Sequence, residues 1–333
     1  MSRKIKRALL VSIGLLAILG GLFLLSHSCW GTWKFPYVYV LVKVDQLKNF
    51  PELGSSSSSV RGKENLVVKQ YALRSTTDRS LLSTVYVAQE EGRSPVIIED
   101  QGHPHTPVLR LPVKNELGQD LYREVLRNTK EDSLIISWWD HSLRISLFSG
   151  RNVLFREFRG EPLFIPEAWR RYRRAISKFE KEFWGIRASK SEERRFKEFV
   201  QIMLSPEDEA ASALREMAGK RPTYVVVDQT DILKLCESVG RQFRIEHEDF
   251  AFTGNLHGII RRVQTRLEEK GLKDYMVQQL DDRTVRVYYL QRPEDKDRLT
   301  VKLLPFTCSN PFRLQHFKLR YQKSSIWVYE LVS

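Results

Sequence analysis

Cysteines and histidines are the residues of this chain best suited to metal or redox chemistry. Cys29, Cys236 and Cys308 form neither a CxxC pair nor a CxxCH haem-attachment site. His103 and His105 lie two residues apart beside a proline, and the sequence offers no third ligand near them. We therefore expect no metal site and no cofactor. Cys236 and Cys308 could form a disulfide in an oxidising compartment or remain two thiols.

An arginine-rich segment offers a second kind of chemistry, the binding of anions. From Glu167 onward, apolar residues recur at three- and four-residue spacing, which predicts a helix with one buried face. The apolar positions are Trp169, Tyr172, Ile176, Phe179 and Phe183. The opposite face carries Arg170, Arg171, Arg173 and Arg174. A solvated helix face explains these arginines, and an anionic partner is the alternative hypothesis; nucleic acid is not the expected partner.

The familiar catalytic motifs are absent from the sequence. It contains no GxGxxG, P-loop, HExxH, GxSxG or EF-hand loop. The acidic pairs Glu90-Glu91 and Asp281-Asp282 fall in predicted turns, and a surface position is the default for such pairs. We identify no catalytic residue from sequence.

The N-terminal segment carries the sequence signals for the compartment in which the protein is located. Residues 8–25 are almost wholly apolar, four basic residues precede them, and Trp30 and Trp33 follow. Eighteen residues at about 1.5 Å each approach the roughly 30 Å hydrocarbon layer. The basic cluster predicts a cytoplasmic N-terminus and a periplasmic remainder, hence a single-pass inner-membrane protein. A cleaved signal peptide is the alternative, because residues 26–28 (SHS) fit a peptidase site, but the apolar run exceeds the usual ~7–15 residues.

Composition supports a folded, basic exported domain. The 333 residues are 42% hydrophobic, and 54 lysines and arginines against 41 acids give a net charge of +13. These values exclude a disordered tail, a collagen-like fibre and a multi-span transporter. The positive excess favours anionic partners without selecting among them.

The remaining sequence predicts a mixed, layered α/β extracytoplasmic domain behind one N-terminal transmembrane helix. Strands are predicted at 37–44, 66–72, 84–88, 95–98, 134–139 and 224–227, and the tail predicts two more joined at Ser324 and Ser325. Helices are predicted from Glu167, from Ser205 as cap to 218, and from Thr230 or Asp231 to 239. We divide the chain into an anchor (1–30), a strand and Ser-rich linker (31–64), a small β-rich part (65–130) and an α/β domain (131–333).

The tetrapeptide Ser137-Trp138-Trp139-Asp140 resembles the WWD signature of the oligosaccharyltransferase catalytic subunit. The similarity continues in IMLSPEDEAASALREM, TYVVVDQTDILKL and the closing RLQHFKLRYQKSSIWVYEL, and covers residues 131–239 and 313–331 in the family's order. In that family the two tryptophans and the aspartate form a pocket for the hydroxyl of the Ser or Thr two residues after the glycosylated Asn. The resemblance thus implies a peptide pocket at Trp138, Trp139 and Asp140.

The residue types suit a hydroxyl-accepting pocket, since indole N–H groups donate, a carboxylate accepts and the rings exclude water. Simple core packing is the alternative for both tryptophans. If they are core, Trp139→Ala should destabilise the fold by ~3–5 kcal/mol; if they form a pocket, Asp140→Asn should weaken binding and leave the fold nearly intact. His141-Ser142 replaces the family's Tyr-Gly, and the many spanning helices that carry its catalytic loops are missing. We therefore expect the fold without its catalysis.

The continuation GEPLFIPEAWRRYRRAISKFEKEFWG, in an exported chain with a WWD segment, is similar to the hydroxylamine oxidation protein HaoB family. Members of that family are associated with the multihaem hydroxylamine-oxidising enzyme of nitrifying and methane-oxidising bacteria. The resemblance implies a non-catalytic, membrane-anchored periplasmic accessory protein that matures or tethers such an exported multihaem cytochrome. Two alternatives stay open: a component of an oligosaccharyltransferase-like glycosylation system, and a periplasmic peptide-binding module.

Overall fold

The computed structural model describes residues 35–50, 53, 66–90, 93–102, 109, 124–185, 188–251 and 256–332. The predicted anchor at 8–25, Cys29, the Ser-rich tract at 55–59, and His103 and His105 lie outside this part of the chain. Within the described ranges, no helix combines the length and the apolar character that a membrane crossing requires.

The strands alternate with helices from the middle of the chain onward. The strands are β1 (Tyr37–Gln46), β2 (Val67–Ser75), β3 (Leu81–Gln89), β4 (Val96–Asp100), β5 (Leu134–Ile136), β6 (Asn152–Val153), β7 (Thr223–Asp228), β8 (Ile245–Ala251), β9 (Tyr275–Asp281), β10 (Thr284–Leu290), β11 (Phe317–Lys323) and β12 (Ile326–Leu331). The α-helices are α1 (Trp139–Ser149), α2 (Arg173–Trp184), α3 (Lys190–Ile202), α4 (Glu207–Ala218), α5 (Asp231–Val239), α6 (Leu256–Glu269) and α7 (Leu299–Leu303), besides a short helical segment at 124–128.

The central sheet has five strands in the order β11-β12-β7-β5-β6. Strand β7 pairs in parallel with β5 and antiparallel with β12, and all six of its residues are buried. This burial on both faces explains its continuous run of β-branched and aromatic residues, YVVV. The predictions of a central strand here and of a final hairpin turning at Ser324 and Ser325 are confirmed.

The first sheet is an antiparallel meander of β1, β2, β3 and β4, at the strands predicted for this region. Helix α2 packs against β1 through a buried carboxylate. Glu180 is 0% exposed, and its Oε1 accepts hydrogen bonds from the hydroxyls of Tyr37 (2.6 Å) and Tyr39 (2.8 Å), while its Oε2 accepts one from Trp184 Nε1 (2.8 Å). This carboxylate joins the first sheet to the helix that follows the central strands.

Two local predictions fail for identifiable reasons. The predicted strand at 134–139 ends at Ile136, because Trp138 and Trp139 turn the chain into α1. Ser205 does not cap α4: its hydroxyl donates to the carbonyl of Gln201 instead, and Pro206 occupies the cap position.

A third sheet, ordered β8-β10-β9, closes the fold together with α6. It has its own apolar cluster, built from Ile259, Val263, Leu267, Val285, Val287 and Tyr289. The turn predicted at Asp281-Asp282 connects β9 to β10. The strands on either side of that turn were not predicted. The mixed α/β class predicted from the sequence is confirmed.

Candidate binding site at the tryptophan pair

The turn between β5 and α1 places Trp138 and Trp139 at the carboxyl edge of the central sheet. Strands β5 and β7 run in parallel, so the segments that follow both strands meet at this edge. Trp138 has extended backbone angles (φ −54°, ψ 145°), and its carbonyl accepts a 2.9 Å hydrogen bond from the Ser142 amide. Ser142 Oγ also donates to the Ser137 carbonyl at 3.2 Å. Both bonds hold the turn that leads from β5 into α1.

Both tryptophans are largely buried among phenylalanine rings. Trp138 and Trp139 are each 4% exposed. Trp138 meets Phe196 edge to face at 5.1 Å between ring centroids, and Trp139 meets Phe158 in the same way at 5.2 Å. Edge-to-face pairs of this kind stabilise a core beyond their buried area. Across the described residues, the structure gives neither indole N–H a hydrogen-bond acceptor.

Asp140 lies in a buried network of charges rather than beside the indole N–H groups. Its Oδ1 and Oδ2 accept from Lys234 Nζ at 3.0 and 3.1 Å, and its Oδ2 also accepts from Arg144 at 2.7 Å. Lys234, which is 2% exposed, forms a second ion pair with Asp231 at 2.8 Å. Two buried cations therefore face two buried carboxylates, which is the arrangement that buried charges require.

His141 completes this network. Arg144 Nη2 is 3.1 Å from its Nδ1, Lys234 Nζ is 3.0 Å from its Nε2, and Asp231 Oδ1 is 3.4 Å from Nε2. A neutral imidazole has one acceptor nitrogen, so both cations cannot donate to it at once. Asp231 Oδ1 and Lys234 Nζ both lie within reach of Nε2, so His141 links the two carboxylate–cation pairs of the network.

The charges hold one another in their ionised forms. Burial by itself would raise the pKa of Asp140, but Lys234 and Arg144 outweigh it, and the pKa lies well below its usual range. The pKa of Asp231 is likewise lowered, since Lys234 opposes the effect of burial. Burial would lower the pKa of Lys234, yet Asp140 and Asp231 raise it. We infer a permanently ionised and internally compensated cluster at neutral pH.

A cavity of about 270 Å³ adjoins the indoles. Its walls are formed by Trp138, Trp139, Arg159, Glu161, Pro162, Leu163, Ile165, Arg173, Ser177, Phe196, Glu237 and Ser238. Asp140 is not among the lining residues. The structure thus brings both tryptophans of the predicted pocket to one cavity, and directs the aspartate into the charge network behind them.

The predicted arginine face is exposed, and only one of its members reaches this cavity. Arg173 lines the cavity and forms an ion pair with Glu237. The side chains of Arg170, Arg171 and Arg174 stay outside it: Arg170 pairs with Glu167, Arg171 stacks on Tyr172, and Arg174 is exposed.

Both cysteines of the described chain are free thiols, Cys236 half-buried and Cys308 exposed. Burial raises the pKa of Cys236 to about 12 and that of Cys308 to about 11. No group of three or more His, Cys, Asp or Glu side chains is placed to hold a metal ion in the part of the chain that the structure describes.

Four residues of this site were not identified from the sequence: Arg144, Arg159, Asp231 and Lys234. Local signals for three of them exist. Asp140 and Arg144 are four residues apart on α1, and Asp231 and Lys234 are three apart on α5, which are the spacings of helical ion pairs. Lys234 also interrupts an apolar run, ILKLC, and this marks a buried cation that needs partners. Arg159 has no comparable signal, because it lies in an irregular segment.

The profile of a protein family described as HaoA-associated protein HaoB matches residues 6–331 of the chain. The chain also resembles the C-terminal globular domain of oligosaccharyltransferase AglB from Archaeoglobus fulgidus, with 12% identity, a TM-score of 0.31, and coverage of 64% of this chain and 95% of that one. It also resembles the C-terminal domain of PglB from C. jejuni, with 10% identity, a TM-score of 0.37, and coverage of 64% of this chain and 99% of that one. None of the curated proteins matches the chain. Both resemblances stated from the sequence are confirmed; at these scores the two domain likenesses say nothing about activity.

Proposed function

Since this chain belongs to the family of the HaoA-associated protein HaoB, we propose that it serves hydroxylamine oxidation as an accessory protein and not as the oxidising enzyme. The observation that carries the proposal is the extent of the family match, from residue 6 to residue 331. It includes the apolar segment, the WWD segment and the final hairpin. The partner that we propose is HaoA, a multihaem enzyme, because the family's description names it.

The charge and the site support a binding role. A net charge of +13 favours an acidic partner surface. At the tryptophan pair, Asp140 already accepts from two buried cations, so its carboxylate is engaged in holding the fold. The cavity beside it offers rings and unpaired donors, which suit recognition of a partner segment.

We further propose that residues 8–25 anchor the protein in the inner membrane and that the described domain is periplasmic. The support is the length of the apolar run and the basic cluster before it. In that position the protein would hold an exported multihaem enzyme at the membrane or assist its maturation. Tethering and maturation differ in a measurable way, because only tethering requires the complex to persist after the haems are attached.

Co-purification tests the partnership. The full-length chain, tagged at its C-terminus, is solubilised from membranes of its own organism and purified, and the eluate is examined by haem staining and mass spectrometry. We expect HaoA with its haems attached if the protein tethers, and haem-deficient HaoA if it assists maturation. Recovery of no c-type cytochrome in either form would contradict the proposal.

The anchor is tested separately by alkaline extraction of the same membranes. We expect the native chain in the pellet and a Leu15→Arg/Leu16→Arg variant in the supernatant, because each arginine at the centre of a spanning helix costs about 2.5–3.5 kcal/mol. The matched control is Leu15→Val/Leu16→Val, which changes the same two positions, keeps them apolar and should stay in the pellet. Release of the native chain would refute the anchor, and an N-terminus found near Cys29 would show that the segment is cleaved.

A further inference from the structure

Arg159, in the wall of the cavity beside the tryptophan pair, is buried with part of its guanidinium unpaired. The residue is 8% exposed. Its Nη2 donates to Glu161 at 3.1 Å, whereas Nε and Nη1 are sealed from solvent and have no acceptor in the described chain. Buried donors are paired in the great majority of native structures, and a guanidinium without acceptors is costly. The protein carries this cost at a cavity that a ligand can enter.

The carboxylate that compensates Arg159 is shared with a second cation. Arg159 and Arg173 line the cavity together with Glu161 and Glu237, and Glu237 pairs with Arg173. Glu161 pairs with Arg159 and also, at 2.8 Å, with Lys181, which lies outside the lining. Arg159 is therefore the lining cation with the least complete compensation, and a ligand with a single negative charge can pair with it, whereas a dianion would bring stronger repulsion from both glutamates.

The other lining residues favour a ligand that carries an apolar group next to its negative charge. Aromatic rings and aliphatic surface are supplied by Trp138, Trp139, Phe196, Leu163 and Ile165. The Arg159 guanidinium carbon lies 4.4 Å from the centroid of the Phe196 ring, and this stacking fixes the plane of its donors. The volume, about 270 Å³, lies just below the roughly 300–1,000 Å³ of small-molecule sites and suits one or two residues of a peptide.

We propose that this cavity binds the carboxylate of a peptide segment, with Arg159 as its principal donor and the two indoles covering the adjacent apolar group. Nε and Nη1 of Arg159 are closed to solvent in the free protein, so binding requires the guanidinium to turn toward the cavity. Its unpaired nitrogens then donate to the carboxylate oxygens, and the rings exclude water, which strengthens the charged hydrogen bonds. The proposal goes beyond the accessory role, because it assigns a ligand chemistry to a named site and does not depend on which protein supplies the peptide.

Short peptides added to the full-length protein in detergent test the ligand class by calorimetry. The probes are acetyl-Leu-Glu-amide, its neutral counterpart acetyl-Leu-Gln-amide, acetyl-Leu-Gln with a free C-terminal carboxylate, and inorganic phosphate. We expect at least one carboxylate peptide to bind about tenfold or more tightly than the neutral peptide, since charged hydrogen bonds have that worth. Tighter binding of the first probe indicates an acidic side chain, and of the third a C-terminus. Equal binding of all peptides, or tightest binding of phosphate, would overturn the proposal.

Two variants locate the site. Arg159→Met should weaken binding of the preferred carboxylate peptide by about ten- to a hundredfold. Arg174→Met is the matched control: it removes the same charge from an exposed position outside the cavity and should bind like the wild type. Ser177→Phe fills the cavity without altering its charges, and should also abolish binding. That variant decides the matter if Arg159→Met does not fold, and wild-type binding by it would refute the site.

Discussion

Replacing Asp140 by asparagine tests the role of the charge network most directly. The side chain keeps its shape but loses the charge that compensates Lys234 and Arg144, which approach it at 3.0 and 2.7 Å. Removal of one partner from a buried ion pair typically costs about 3–5 kcal/mol. We take the lower end, about 3 kcal/mol, because Asp231 remains to compensate Lys234, and this corresponds to a roughly 150-fold shift in the folding equilibrium.

Chemical denaturation and thermal melting of the full-length protein measure the effect. At roughly 2 °C per kcal/mol for a chain of this size, the melting temperature should fall by about 6 °C. Asp132→Asn is the matched control, because Asp132 is exposed in a turn and the same change there should alter stability by less than ~0.5 kcal/mol. Adding Lys234→Met to Asp140→Asn should cost less than the sum of the two single changes, since the pair is then removed together.

The pH dependence has a definite sign. The pKa of Asp140 is lowered in the folded protein, so its contribution to stability is complete well above the unfolded value of about 3.9 and is lost as the pH falls through the folded pKa. The stability difference between wild type and Asp140→Asn should therefore be full at pH 7 and shrink progressively below about pH 4. A variant as stable as the wild type at pH 7 would show that the carboxylate is not held in this network, and would favour the expectation of a dispensable pocket residue.

Two further predictions concern buried groups elsewhere. Glu180→Gln should destabilise the protein by about 2–3 kcal/mol, because the amide replaces one of the buried acceptor oxygens with an NH2 group that faces other donors. Glu182→Gln, two residues further along α2 at an exposed position, is the control and should change stability by less than ~0.5 kcal/mol. Equal effects of the two variants in a melting assay would contradict the packing described. In a Cys29→Ser background, maleimide labelling at pH 8 should modify Cys308 before Cys236. Cys308 is exposed, and burial raises its pKa only to about 11, whereas the pKa of Cys236 is raised to about 12. Mass spectrometry of tryptic peptides gives the order of labelling, and faster labelling of Cys236 would argue against its burial.

The sequence determined those parts of the protein whose burial is written in local spacing. The three- and four-residue recurrence from Trp169 to Phe183 specifies one apolar face, although the helix predicted from Glu167 is a 3-10 helix over Glu167–Tyr172 and becomes α2 only at Arg173. Ile176 on that face is buried and the other four apolar residues are half-buried. The run at 224–227 specifies a strand covered on both sides, and the final hairpin follows from two short strands around Ser324 and Ser325. These patterns depend on residues a few positions apart, so they can be recognised before the chain is folded.

Only the tertiary structure decided how distant residues pair. Lys234 meets Asp140 across 94 positions because β5 and β7 are parallel neighbours, and no local pattern states which strands become neighbours. The turn from β5 into α1 sends consecutive side chains in different directions. Asp140 therefore points toward Lys234, while the two tryptophans that precede it line the cavity. Arg159 lines the cavity although no sequence pattern predicts it. It lies in an irregular segment without periodicity, so its surroundings are set by the elements that pack against it.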